Sequence, residues 1–293
     1  MLTLPYSSKD NGYQKRPLLI LVFIGIAFAV SLYIYESKRE QLIFQQYSQI
    51  IKESSNINAE DLSTKILAKT KSIQLLRKLP YIQEFTRNPL SLNRENPAHN
   101  VTLNQKKQVT HVFMAFLDQE KDIRQARLIL SDGSEYIRVE RSDNGIIITP
   151  ANLLQSKEDR DYFKIGMKLS DKEVYVTQIS PNYEHGKIEF PTWPTYRIIT
   201  NLRGEDNSII GLLILNIDAS ESLKKLNANK QTVLLPFENY LIDNNGFYVA
   251  SPNSALLLGK DLVHEDIKWF SHTYNTTPLT KRNNFQTRIL YKK

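Results

Sequence analysis

Apolar and polar positions follow three different rhythms along this chain of 293 residues. The first is a run of nineteen consecutive uncharged residues, Pro17 to Tyr35. At about 1.5 Å of rise per residue it reaches about 28 Å, enough to cross the roughly 30 Å hydrocarbon core of a bilayer. A cleavable leader has a shorter apolar stretch followed by a small-x-small site. The one candidate for such a site, Ala29 and Ser31, lies inside the run, so an uncleaved spanning helix is expected, with Tyr33 and Tyr35 at its interfacial end. The second rhythm is helical. Between Glu36 and Leu79 there is neither Gly nor Pro, and apolar residues recur at Ile43, Tyr47, Ile50 and Ile57, then at Leu62, Ile66, Ile73 and Leu76. A long helix leaving the membrane is predicted over 36–87, broken near Pro80, and its apolar stripe must either pack on its own domain or pair with a second copy.

Residues 87–108 hold two prolines and five asparagines and read as a loop, with a short helix after it from Val109 to Leu117. Then the third rhythm begins, alternating or in short apolar runs. Ala126–Leu130 and Glu135–Arg141 flank Ser131-Asp132-Gly133 as a hairpin, and Asn144-Gly145 turns the chain into Ile146–Thr149. Asp159–Leu169 reads as a helix with Tyr162, Phe163 and Met167 inward. Val174–Ile179, Tyr196–Leu202 and Ile209–Ile217 read as strands, and Asp218 with Glu221 opens a helix through Leu226. A further hairpin is expected at Asn239–Ile242 and Phe247–Ala250, around Asp243-Asn244-Asn245-Gly246, ending at Ser251-Pro252-Asn253. The layout is α+β: a single antiparallel sheet with helices on its faces.

Charge changes this picture little. The net charge of +7 is spread without a Lys/Arg block or a basic stripe interleaved with aromatics, so nucleic acid is not an expected partner. Lys9, Lys15 and Arg16 before the spanning run are matched by Lys38, Arg39 and Lys52 after it, so the positive-inside rule leaves the orientation open. The chain has no cysteine, which excludes disulfides, thiolate metal sites and thiol nucleophiles. Its five histidines, His99, His111, His185, His264 and His272, show no ligand spacing, and there is no G-x-S-x-G elbow, H-E-x-x-H or phosphate-cradling glycine loop. No metal, cofactor or enzymatic activity is expected.

From Ile123 to Asp218 the chain resembles the extracytoplasmic double Cache (tandem PAS-like) sensor domains of bacterial histidine kinases, diguanylate cyclases and chemoreceptors. The matching pieces run in order: Arg127–Ile129 with Asp132–Val139, Asp159–Phe163, Glu173–Thr177, Asn182 with Glu184–Glu189 and Pro191, Pro194 with Arg197–Thr200, and Gly211–Asp218. Leu241–Gly246 with Ser251-Pro252 is similar to the opening of the family's second, membrane-proximal module. The resemblance implies a cytoplasmic N-terminus, a periplasmic body, a bacterial inner-membrane location and a small-molecule ligand. It also implies this organisation: tail 1–16, transmembrane helix 17–35, long helix 36–87, membrane-distal module 88–226, partial membrane-proximal module 227–275 and a polar basic tail 276–293. Family members continue to a second spanning helix and an output domain. The expectation is therefore a sensor region without its own output, acting as a homodimer or by pairing with an intact receptor.

In such sensors a ligand sits against the sheet of the distal module. The candidate positions here are Arg138, Tyr162, Tyr175, Trp193, Arg197 and Asp218. An arginine fork matches a carboxylate or phosphate, an aspartate matches an amine, and aromatic walls exclude water from both. Arg197 stands out because it follows Pro194 in the matching strand. The alternative is that strand arginines lie on a solvated face, that Tyr and Trp fill the core, and that Asp218 caps the next helix. Two other functional readings stand beside the sensor: an interaction or assembly protein working through the stripe Ile43, Ile50 and Ile57, and an anchored periplasmic hydrolase.

Overall fold

A computed structural model describes residues 12–87, 99–228, 238–243, 245–253 and 256–262. The chain divides into two compact units, residues 1–54 with 287–293, and residues 55–286. Helix α1, Gly12–Arg77, contributes to both. In the first unit it is long and apolar enough to cross a membrane, and none of its most apolar window is buried. Ile43 and Ile50 are exposed there. The basic tail expected at 276–293 lies outside the described residues.

In the second unit the end of α1 lies on the domain core through Leu62, Ile73 and Leu76, while Ile57 stays exposed. The own-domain alternative therefore holds for the C-terminal half of the stripe. Lys69 fixes that half, donating to Glu120 and Asp122 at 2.5 Å each. Burial would lower this lysine, but the two carboxylates outweigh it and hold it above its usual value. Helix α2, Pro80–Arg87, follows a two-residue break, with Pro80 opening it. A proline lacks only an N–H that the first turn leaves free anyway.

Helix α3, His99–Gln119, begins ten residues before the predicted Val109. The asparagines of 100–108 suggested a loop, yet Gln105, Val109, Phe113 and Leu117 are buried at steps of four, and that stripe overrides local preference.

The sheet is antiparallel. It comprises β1 Ile123–Leu130, β2 Glu135–Ser142, β3 Gly145–Ile148, β4 Val174–Val176, β5 Ser180–Pro181, β8 Pro194–Arg203 and β9 Ile209–Asp218, in the order β3-β2-β1-β9-β8-β4 with β5 also on β8. Gly133 closes the β1–β2 turn at φ +86°, where an added Cβ would come within 2.8 Å of the Glu158 backbone. One sheet face, with Ala126, Leu128, Ile137, Val139, Ile198, Leu213 and Leu215, packs against the helices. The other carries a short apolar patch, Ile129, Ile199, Leu212 and Ile214, covered by Tyr162 and Phe163 of α4, Asp161–Gly166. The rest of that second face is polar.

The strand predicted over Val174–Ile179 is cut short at Val176. A separate hairpin that the sequence pattern did not signal, β6 Tyr183–Glu184 with β7 Lys187–Ile188, turns through His185 and Gly186 at φ 50° and 75°. Helix α5, Ser220–Ala228, starts as expected after Asp218, whose Oδ1 accepts from the Ser220 N–H at 2.8 Å. The late hairpin is β10 Leu241–Ile242 with β11 Tyr248–Ala250, followed by α6 Gly259–Leu262.

Candidate functional site

Strand register arranges the polar face in rungs. One rung runs Glu140, Gln125, Asn216, Arg197 across β2, β1, β9 and β8. The next runs Arg138, Arg127, Ile214, Ile199, Tyr175. Glu135 joins this face because the ladder shifts register between Leu128 and Ile129, which places Ile129 opposite Glu135 and leaves Tyr136 as an extra residue. Tyr136 turns to the helices, with its ring 5.5 Å from that of Phe85.

Four cations are thereby buried together. Arg127 is 2% exposed, Arg138 and Arg197 are 6% exposed and Lys157 is 5% exposed. Desolvating so many charges is costly unless they are paired. Arg127 donates to Glu135 at 3.0 Å and to Glu184. Arg138 meets Glu184 at 3.2 Å, Glu140 at 3.4 Å and Glu135 at 3.6 Å. The Lys157 Nζ is 3.4 Å from Glu184. Burial alone would raise the Glu184 carboxyl, but Arg127, Lys157 and Arg138 outweigh it and hold it far below the ordinary carboxylate range. Lys157 is lowered by burial and by the like charge of Arg127.

Arg197 differs from the other three. Its Nη2 donates to Asn182 Oδ1 at 2.8 Å and its guanidinium lies 5.1 Å from the Tyr162 ring centre. Among the described residues no carboxylate comes within ion-pair distance of it, and its buried Nε, like that of Arg127, has no hydrogen-bond partner. Burial pushes it down from its usual value to about 10. Asn182, fully buried, is the hub beside it. Its Oδ1 also accepts from Asn216, and its Nδ2 donates to Glu189 at 2.8 Å and to Glu184 at 3.4 Å.

The six sequence-derived positions therefore separate. Arg138, Arg197 and Tyr162 converge on the polar face, and both arginines are buried, which removes the solvated-face alternative for them. Trp193 and Asp218 form a second group at the sheet's end: Arg124 stacks 5.5 Å from the Trp193 ring and pairs with Asp218 at 3.1 Å. Asp218 is thus held by an ion pair and by capping α5, as its alternative reading held. The Trp193 indole N–H joins the two groups by donating to Glu189 at 2.9 Å. Tyr175 flanks the apolar patch beside Ile199. Sequence reasoning did not select Arg127, Glu135, Lys157, Asn182 or Glu184. The available signal was a charged Arg127 inside the otherwise apolar run Ala126–Leu130.

A family model described as the sensor domain of bacterial histidine kinases matches residues 68–277. A search of the curated proteins finds no match. Among solved structures, the fold is similar to the extracellular domain of vpHK1S-Z8, named as a histidine kinase, at TM-score 0.57 and 21% identity over 79% of this chain and 74% of that one. It is similar to a domain named as of the sensory box/GGDEF family from Vibrio parahaemolyticus, at TM-score 0.56 and 20% identity over 79% and 78%. A lower score, 0.48 at 16% identity over 74% and 72%, links it to the ligand-binding domain of the Campylobacter jejuni chemoreceptor Tlp3 in complex with 4-methylisoleucine.

Proposed function

We propose, from the premise that this chain belongs to the bacterial histidine kinase sensor-domain family, that it is a membrane-anchored periplasmic sensor whose small-molecule ligand places an anionic group on Arg197. One observation carries the reading: a guanidinium buried without a carboxylate and with an unused Nε donor. A buried cation left uncompensated in this way is costly, and an incoming carboxylate or phosphate would offset that cost with two charge-assisted bonds. Tyr162 would wall the site, and Arg138 would help set its positive potential. Asp218, engaged by Arg124 and the α5 N-terminus, is less suited to hold an amine.

In this reading residues 17–35 cross the inner membrane with the N-terminus in the cytoplasm. Residues 88–226 form the membrane-distal module and 227–275 part of a second one. A ligand that binds one packing of α1 on the sheet better than another shifts the balance between them, and α1 carries the change towards the membrane. Thermal unfolding of the full chain in detergent, against a panel of amino acids, small carboxylates and amines, tests this. A compound at a hundredfold over its dissociation constant adds about 2.7 kcal/mol. An anionic compound should raise the midpoint, and Arg197→Ala should abolish the rise. The exposed stripe Ile43, Ile50 and Ile57 favours one second reading, an interaction protein working through α1 as a homodimer or with an intact receptor. That reading predicts no shift with any compound and loss of association on changing those three residues.

A further inference from the structure

Glu184 is an unusual member of the buried cluster because of where it comes from. The cations it meets lie on the main sheet or, for Lys157, on the segment that precedes α4, whereas Glu184 arrives on the β6–β7 hairpin, whose strands among the described residues pair only with each other. Its carboxylate lies within hydrogen-bond reach of six side-chain donors, those of Arg127, Arg138, Lys157, Gln155, Gln125 and Asn182. The carboxylate therefore sits where an external anion would be held best. Successive strand residues point to opposite sides. Tyr183, next to Glu184, points away from the cluster, and its hydroxyl donates to Asp261 of α6 at 3.3 Å. Asp261 lines a small crevice of about 70 Å³ with Gln178, Asp243 and Phe247.

The charge balance dictates what could take the place of Glu184. With it gone, Arg127, Arg138 and Lys157 would face only Glu135 and Glu140, so a neutral molecule would leave a buried positive charge uncompensated. A second carboxylate keeps the balance unchanged. We propose that the Arg127–Arg138–Lys157 cradle is a carboxylate-binding subsite that Glu184 fills as a tethered anion, that a ligand carboxylate exchanges with it, and that Tyr183 carries the hairpin's release to Asp261. This deepens the sensor reading and rests on it for the physiological ligand. The exchange itself is open to test without that ligand, using acetate.

In the full chain in detergent, Glu184→Ala should lower the unfolding midpoint, and acetate at constant ionic strength should restore it saturably where chloride does not. In the unsubstituted protein the tether acts as a carboxylate at millimolar effective concentration. Acetate should therefore raise hydrogen exchange of residues 183–188 severalfold, but only at higher concentration than rescues Glu184→Ala. Tyr183→Phe should keep that response in the hairpin and lose it in residues 259–262. If Glu184→Ala does not fold, Glu184→Gln replaces it, and acetate should raise its unfolding midpoint saturably where chloride does not. Failure of acetate to act on either variant overturns the subsite. Rescue of the variant with no hairpin response in the unsubstituted protein overturns the exchange and leaves a structural ion pair. A compound panel that shifts nothing, alongside successful acetate rescue, would instead count against the sensor reading and leave the subsite standing.

Discussion

Replacing Arg197 with methionine should stabilise the ligand-free protein, while the same change at Arg127 should damage it. Arg197 has a folded value of about 10, well below that of a free guanidinium, so folding disfavours its charged form. At about 1.4 kcal/mol per pH unit this is a burden of about 3 kcal/mol on the folded state at neutral pH. Methionine removes it. The substitution also forfeits the bond to Asn182, about 1 kcal/mol, and the contact with the Tyr162 ring, about 1 kcal/mol. Asn182 Oδ1 keeps its second donor, Asn216, at 3.2 Å. The net gain is about 1 kcal/mol, a rise of about 2–4 °C in the midpoint for a domain of this size. Arg127 is the opposite case, because its loss takes from Glu135, whose side chain is 0% exposed, its partner at 3.0 Å and leaves it only the longer contact to Arg138 at 3.6 Å and the Gln155 N–H. Breaking a buried pair from one side costs about 3–5 kcal/mol, or about 10 °C. Thermal unfolding followed by near-ultraviolet circular dichroism of both variants reads the contrast. If Arg197→Met falls as far as Arg127→Met, the guanidinium is not the uncompensated charge described here and the argument for an anionic ligand fails.

Two further outcomes follow from the same packing. The Glu184 carboxyl lies below its unfolded value of 4.5, so its contribution is full above that value and declines as pH falls through it towards the folded value. The midpoint should therefore drop steeply below pH 4.5, and Glu184→Gln should flatten that drop; equal slopes in the two proteins would refute the assignment. On the helical face Phe113, 0% exposed, anchors α3 to the sheet, and Phe113→Ala should cost about 3–5 kcal/mol in the same assay, where a loss below about 1 kcal/mol would show that α3 is not part of the core.

The sheet could be read in advance because its strands are long enough to show a rhythm, as in Ile209–Asp218, and because Asp132-Gly133 and Asn144-Gly145 mark turns. Two features were hidden for physical reasons. The first turns of α3 look like loop in composition, and only the burial of Gln105 in line with Val109, Phe113 and Leu117 makes them helical. The β6–β7 hairpin has two-residue strands, too short for any period to register. The site was half visible. Arg138 and Arg197 stood out as arginines in strands, but whether a strand residue faces a ligand depends on register, and the shift beside Ile129 is what brings Glu135 round to join them. The partners that matter most to these arginines, Asn182 and Glu184, come from segments without periodicity, and no local pattern could pair Asn182 with Arg197, 15 positions on, or Glu184 with Arg138, 46 positions back.

The sheet order carries a consequence for how the molecule comes into being. The β1 and β9 strands lie side by side at its centre, yet Gln125 and its neighbour Asn216 are 91 residues apart in the chain. Closing so long a loop is entropically slow, so this seam belongs among the late events of folding. Before it closes, the β1–β2 hairpin is already able to form from local sequence, and it brings its own counter-ion, because Glu135 sits eight residues from Arg127. The nascent hairpin can thus neutralise one of its arginines without waiting for the second half of the domain to be synthesised. Arg197, delivered by the second half, meets no such carboxylate on arrival.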